Sequence, residues 1–248
     1  MKKQIINKGL VEKRFRESLK TYDSEASIQR IIANKLFSMI SSLEKDFSTI
    51  YEIGCGTGFL SSKIIESIEF DTLIINDIVE ESFNYIDRKN RNITFISGDM
   101  DKLGIPKSDL IVSSSTLQWS SNLPNLLDKV YSSLNSGGYF IFSTFGKSNF
   151  KEVSLLTNSS LTYYNIENYK DLMSKFSYVT LDEEKLPLFF DKSVDILRHQ
   201  KLTGVNAILS SDSSKLSLFK FLAQYEKRFR TEKGLPLTYH PIYIMGRK

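Results

Sequence analysis

Three glycines at alternate positions, Gly54, Gly56 and Gly58, follow the run Ile50-Tyr51-Glu52-Ile53 and precede Phe59-Leu60. A β-branched and aromatic run that ends in glycines and passes into an apolar helix start reads as strand, loop and helix of one βα unit. Such a unit commits the chain to a parallel sheet with helices on its faces. The glycines let the backbone approach a ligand where a Cβ would not fit, and the loop is expected to leave backbone N–H groups facing open space. A dinucleotide fingerprint would space its glycines G-x-G-x-x-G to rest a pyrophosphate on the helix N-terminus. Here the third glycine comes one residue early and Phe59 takes its place, which argues against a nicotinamide-dependent oxidoreductase.

Downstream the β–α rhythm repeats with short turns. Phe59–Ile68 reads as helix, Leu73–Ile78 as a buried strand, Glu80–Arg88 as helix and Ile93–Ile96 as the third strand. Asp109–Ser115 reads as the fourth strand, Leu126–Leu134 as helix, Asn135–Gly138 as a turn and Tyr139–Phe145 as the fifth strand. The pattern predicts a doubly wound α/β sheet, and ligands of such sheets bind outside the carboxyl ends of the strands. Asp77, with Ile78 beside it, ends the second strand 23 residues after Gly54, near the roughly 20-residue offset at which a carboxylate meets ribose hydroxyls. Asp99 follows the third strand, placed to accept from an adenine amino group, with Met100 to pack on the ring or fill the core. Ser115 and the Thr116-Leu117-Gln118-Trp119 stretch follow the fourth strand, beside the reacting end of a ligand.

Upstream, Thr21–Leu43 has helical spacing at Ile28, Ile32, Leu36, Ile40 and Leu43, with Ile31 and Phe37 beside them and N-cap candidates at Thr21, Asp23 and Ser24. Tyr22 and Gln29, polar groups at the helix start, either close over a ligand or lie on the surface. Beyond Gly146 the rhythm changes. Lys151–Phe176 looks helical or irregular, Tyr178–Phe190 contains a strand, Val194–Glu232 is helical and basic, and Leu237–Met245 is a strand interrupted by Pro241. One domain is expected, with residues 1–46 as a helical segment, 47–146 as the ligand-binding half, 147–235 as a late strand plus helical insertions, and 236–248 as a terminal strand.

One cysteine and two histidines leave little for a disulfide framework or a transition-metal site, so no metal is expected. No run approaches the roughly 18 apolar residues of a membrane span, and the basic first residues lack a signal-peptide core. The expectation is a cytoplasmic monomer with no membrane partner. The net charge of +4 permits an acidic partner. Lys215, Lys220, Lys227, Arg228, Arg230 and Lys233 form a basic stretch interleaved by Phe219, Phe221, Tyr225 and Phe229, which reads as an amphipathic helix rather than a nucleic-acid surface.

The run from Glu52 to Gly58, E-x-G-x-G-x-G, resembles motif I of class I S-adenosylmethionine-dependent methyltransferases. Three further stretches resemble one family among them, the malonyl-acyl-carrier-protein O-methyltransferases of biotin synthesis. They are Arg14-Phe15 with Thr21-Tyr22-Asp23 and Ile28-Gln29, then Leu117-Gln118-Trp119, then Leu197-Arg198-His199-Gln200-Lys201-Leu202-Thr203-Gly204-Val205-Asn206-Ala207. The closing Leu237-Thr238-Tyr239-His240-Pro241-Ile242-Tyr243 is similar too, whereas 158–168 matches only loosely.

The resemblance implies a seven-stranded Rossmann-like methyltransferase sheet, six strands parallel and one antiparallel, with a helical lid insertion. It implies S-adenosylmethionine as cofactor, held by Gln29, Glu52, the loop residues Gly54, Cys55, Gly56 and Gly58, then Asp77, Ile78, Asp99, Met100, Ser115, Leu117 and Gln118. The implied reaction esterifies the free carboxylate of malonyl-acyl carrier protein, an acidic partner that would dock on the basic lid face. A carboxylate is ionised at neutral pH and attacks a sulfonium methyl without a general base. Tyr22, Arg198 and His199 are the implied substrate-side residues. Arg198 is either a bidentate clamp for the malonyl carboxylate or a carrier contact, His199 a hydrogen-bonding or structural group, and Cys55 a small filler. A methyltransferase acting on another small acid, an RNA methyltransferase and a binding module without turnover remain alternatives. The loop S-S-S-T-L-Q-W, with no N-P-P-Y-like tetrad, argues against RNA.

Overall fold

The computed structural model describes residues 6–43, 45–157, 161–205 and 215–248. Among them, seven strands form one sheet and two more a small second sheet. The first unit is β1 (Phe47–Ile53), the glycine loop and α3 (Phe59–Ser67), preceded by α1 (Lys8–Glu25) and α2 (Ser27–Ser41). Next come β2 (Phe70–Asp77), a 3-10 turn over Glu80–Tyr85, β3 (Ile93–Ser97) and β4 (Ser108–Ser113). A second 3-10 turn, Leu117–Trp119, leads to α4 (Leu123–Ser133) and β5 (Leu134–Phe145). Then follow α5 (Lys151–Thr157), α6 (Ile166–Leu172), β6 (Tyr178–Glu183), β7 (Leu186–Phe190), α7 (Ser193–Leu202) and α8 (Lys215–Phe229). The chain closes with β8 (Leu235–Tyr239) and β9 (Pro241–Arg247).

The strand order is β3-β2-β1-β4-β5-β9-β6, with β9 antiparallel to both β5 and β6. Six strands therefore run one way and one the other, as expected. Alternation across the pleat makes two cores. Ile50, Leu110, Val112 and Ile141 face α2 and α3, while Tyr51, Ile111, Phe140 and Phe142 face α4 and α6. On α2 the stripe Ile28, Ile32, Leu36 and Ile40 is buried against the first face, each side chain contributing about 1.5–3 kcal/mol. Ile31, by contrast, is exposed.

Several elements depart from the sequence expectation. The helix expected from Thr21 is two helices, because the chain bends at Ala26 (φ −86°, ψ 51°). Asn7 caps α1, and Thr21, expected as a cap, instead donates its hydroxyl to the Leu202 carbonyl at 2.9 Å. The turn expected at Asn135–Gly138 is the start of β5, which takes up a register shift against β4 with Gly137 at φ +74°. The strand expected within 178–190 is two, as is the terminal one, broken at His240. His240 explains its own break. Its Nδ1 accepts from the Ser148 N–H at 3.0 Å and its Nε2 meets Glu183 at 3.0 Å, so it ties the loop after β5 to β6. Asn158, Asn206 and Ala207 lie outside the described residues.

Candidate active site

The carboxyl ends of β1, β2, β3 and β4 and the facing sides of α1 and α2 enclose a cavity. Gly54, Gly56 and Gly58 shape its floor, all with positive φ. A Cβ at Gly54 would lie 2.3 Å from the Thr116 side chain, and one at Gly58 2.4 Å from Ile86. A Cβ at Gly56 would meet nothing within 4 Å, so there the backbone borders free cavity. Four of the loop's N–H groups find partners inside the protein. The N–H groups of Gly54 and Cys55 both donate to the Asn76 carbonyl (2.8 and 2.9 Å), that of Gly58 to the Cys55 carbonyl and that of Gly56 to Asp77 Oδ2 at 2.8 Å. The N–H groups of Thr57 and, at the start of α3, which has no side-chain cap, of Phe59 have no partner among the described residues, so the expected free donors lie there, beside the hollow at Gly56.

The electrostatics match that shape. Glu52, Asp77 and Asp99 line the cavity, with Lys8 as the cation among them. Burial pushes the Glu52 carboxyl up to about 7, against the pull of the Ser61 hydroxyl, which donates to it at 2.5 Å. Burial also raises Asp77, opposed by the N–H groups of Val79 and Gly56. Lys8 Nζ sits 2.8 Å from Asp99 Oδ1 and 2.9 Å from Asp101, tying α1 across the end of β3. Among the described residues nothing is bonded to Asp99 Oδ2. A cavity with three carboxyl groups suits a cationic ligand and repels a pyrophosphate.

Of the residues expected to hold a cofactor, Gln29, Glu52, Gly54, Cys55, Gly56, Asp77, Ile78, Asp99, Met100 and Ser115 line this cavity, as does Tyr22. The Tyr22 ring lies 5.7 Å from that of Phe59, forming an aromatic wall. Gly58 acts from below, through the turn. Cys55 is buried with its thiol pushed well up, as a filler would be. Leu117 and Gln118 are placed differently from expectation, since the 3-10 turn directs Trp119 to this cavity and sends Leu117 and Gln118 to its neighbours.

Two further cavities lie beside the first, sharing walls in turn. Gln29 and Trp119 line both the first and a second, small one; Gln118, Phe145 and Tyr163 line both the second and a third. No lysine, arginine, histidine, aspartate or glutamate is among the residues lining the second and third. Tyr239 stands at the second, its hydroxyl 2.7 Å from His199 Nε2. Burial pulls His199 down to about 4, so its imidazole is neutral and fixes Tyr239 instead of exchanging protons with a substrate. Arg198, expected as a clamp, is exposed and lines none of the three cavities. The reason is helical: Ile196 and His199 turn the inner face of α7 to the protein, and Arg198, about 100° away, faces out.

Sequence reasoning missed Lys8, Asp101, Tyr163 and Asn149 as site-forming groups. No spacing or motif marks them, because their positions depend on how α1 and the segment after α5 cross the sheet. Trp119 and Tyr239 lay inside stretches already singled out, where only the fold tells which side chain turns inward.

A profile described as methyltransferase domain matches residues 50–138, which span β1 to the start of β5. The chain is 33% identical over 258 residues to a malonyl-[acyl-carrier protein] O-methyltransferase of Bacteroides thetaiotaomicron, covering 98% of this chain and 99% of that one. It is 36% identical over 230 residues to the protein of that description from Calditerrivibrio nitroreducens, covering 92% and 91%. In structure it resembles a putative methyltransferase of Bacillus halodurans (TM-score 0.62, 12% identity, 87% of this chain and 98% of that one). It also resembles the N-methyltransferase NodS of Bradyrhizobium japonicum, solved with S-adenosyl-L-homocysteine (TM-score 0.54, 12% identity, 92% and 98%).

Proposed function

The chain belongs to the malonyl-[acyl-carrier protein] O-methyltransferase family and is an S-adenosylmethionine-dependent methyltransferase, and from that premise we propose that it methylates the free carboxylate of malonyl-acyl carrier protein. The product ester would start the pimeloyl chain of biotin. The observation that carries this reading is the shared wall at Trp119, where an acidic cavity adjoins an uncharged one. The first suits a cation, and the second admits an acceptor.

The cofactor supplies a methyl group on a positively charged sulfur. A carboxylate oxygen forms the new bond to that carbon, and the electron pair of the broken C–S bond returns to sulfur. No proton moves. The protein's work is alignment of the two reactants and exclusion of water. Asp77 is the proposed partner of the ribose hydroxyls, and Asp99 Oδ2, with Met100, of the adenine. Glu52 favours the positive charge, Gly56 leaves room for the amino-acid tail, and Tyr22 and Gln29 close the cavity from α1 and α2. A tyrosine face toward a cation is itself attractive.

His199 is a positioning residue, and Arg198 on the outside of α7 is a contact for the carrier. The acidic carrier would meet the exposed Lys220, Lys227, Arg228 and Lys233 on and after α8, with Phe219, 72% exposed, beside them. Phe221, Tyr225 and Phe229 turn inward, each ring against the next in a tilted or edge-on contact, so the helix is amphipathic as expected. Arg230 pairs with Glu226 and is less available, and the Lys215 side chain lies outside the described ones. Among the described residues no helix is long and apolar enough to cross a membrane, and the proposed setting is the cytoplasm, as a monomer.

Mass spectrometry of malonyl-acyl carrier protein after incubation with enzyme and S-adenosylmethionine tests the reading. The carrier should gain one methyl group, removable by mild alkali. A carrier of unchanged mass, with methyl transfer to free malonate instead, would reassign the substrate.

A further inference from the structure

The second cavity, between Trp119 and Tyr239, is small, about 20 Å³, on the scale where roughly 10–15 Å³ holds one water. It has room for a group about the size of a carboxylate and lies next to the cofactor cavity. Two groups at its wall are donors in want of an acceptor. Trp119 is only 6% exposed, and its indole Nε1–H, which can donate but never accept, has no hydrogen-bond partner among the described residues. Tyr163 accepts from Asn149 Nδ2 at 3.0 Å, which leaves its own O–H to donate. Tyr239, by contrast, is engaged by His199. A buried N–H left unpaired costs about 1–3 kcal/mol, a cost that an incoming acceptor would relieve.

No cation takes part in this wall. Arg198 faces outward, and the stretches that flank the lining residues Leu161 and Val205, 158–160 and 206–214, contain no lysine, arginine or histidine. We propose that the second cavity seats the malonyl carboxylate, held by the Trp119 N–H and the Tyr163 O–H rather than by a guanidinium, with the thioester arm leaving through the third cavity. The inference rests on the function proposed above. The third cavity, of about 250 Å³, runs between the Ser120–Pro124 turn and Tyr164, wide enough for a flexible arm.

The physical reason favours neutral donors. A guanidinium would fix the carboxylate but neutralise the charge that makes it a nucleophile, and would remain as a buried charge beside a neutral ester product. Neutral donors orient one oxygen and leave the negative charge to be cancelled by the sulfonium. They also discriminate, since an acetyl group has no carboxylate and would leave both donors unpaired.

Steady-state kinetics of Trp119→Phe and Tyr163→Phe, each keeping an aromatic ring and losing one donor, provide the test. A hydrogen bond to a charged group is worth about 1.5–3 kcal/mol, so kcat/KM for malonyl-acyl carrier protein should fall on the order of 10- to 100-fold in each. The Kd for S-adenosylmethionine and the inhibition constant of acetyl-acyl carrier protein should stay within about threefold, which also certifies that the variants are folded. Arg198→Ala should leave transfer to malonyl-pantetheine, which lacks the carrier, unchanged. The seat is overturned if both aromatic variants keep kcat/KM within threefold, if their losses track cofactor affinity, or if Arg198→Ala abolishes transfer to malonyl-pantetheine. A wild-type enzyme that methylates no malonyl thioester overturns the proposed function first and the seat with it.

Discussion

Glu52 shows how one residue couples stability to binding. It is buried beneath the glycine loop with its carboxyl pushed up to about 7, so in the free protein its ionisation is opposed by the fold. Because the folded value lies above the unfolded one, near 4.5, its contribution to stability is fully present below that value and is lost as pH rises through about 7. The difference corresponds to roughly 3 kcal/mol. A cationic ligand reverses the preference by favouring the ionised form. Glu52→Gln should therefore melt higher than wild type at pH 8 without ligand, yet bind S-adenosylmethionine more weakly, and its affinity should lose the rise with pH that wild type shows through neutrality. Calorimetric titration across that range checks it, and a pH-independent wild-type affinity would refute it. The residue types at this site were legible in advance, for Glu52, Asp77 and Asp99 follow from strand ends alone. Arg198 was not, because a helix segment names its residues without saying which face it buries.

At the scale of elements, the glycine loop works through exclusion as well as through donors. The N–H groups of Gly54, Cys55, Gly56 and Gly58 are spent on Asn76, Cys55 and Asp77, that of Thr57 has no partner among the described residues, and Gly56 borders a hollow. The three glycines then serve different ends. Gly54→Ala forces a Cβ to within 2.3 Å of Thr116 and should lower the melting temperature sharply. Gly56→Ala meets no protein atom within 4 Å, so its cost to the fold should be only that of a left-handed backbone, about 1–2 kcal/mol, while cofactor affinity falls at least tenfold. Thermal melts paired with cofactor titrations separate the two, and equal effects on both readouts would contradict it. The alternating β and α elements up to β5 were readable because hydrophobic period and glycine turns mark each boundary. The late strands were not, since their breaks depend on His240 reaching Ser148 and Glu183, partners remote in sequence.

In the whole molecule, the sheet order puts every strand end that carries a binding group on one rim, and Asn149, Leu161, Tyr163 and Tyr239, all after β5, line the cavities beside it. The order itself was accessible only through resemblance; composition and periodicity gave parallel strands without their sequence in space. The chain of three cavities was not legible at all, because it lies between α2, the Leu117–Trp119 turn and the segment after α5, which meet only in the folded protein. The proposed function would divide the molecule's labour between an acidic chamber for the methyl donor, an uncharged one for the acceptor, and a basic outer face for an acidic carrier. The most direct measurement is transfer of a labelled methyl group from S-adenosylmethionine to malonyl-acyl carrier protein, beside free malonate, malonyl-coenzyme A and acetyl-acyl carrier protein. The expected result is base-labile label on malonyl thioesters, fastest on the carrier, and none on acetyl-acyl carrier protein. Tight cofactor binding with no label on any malonyl thioester would contradict it.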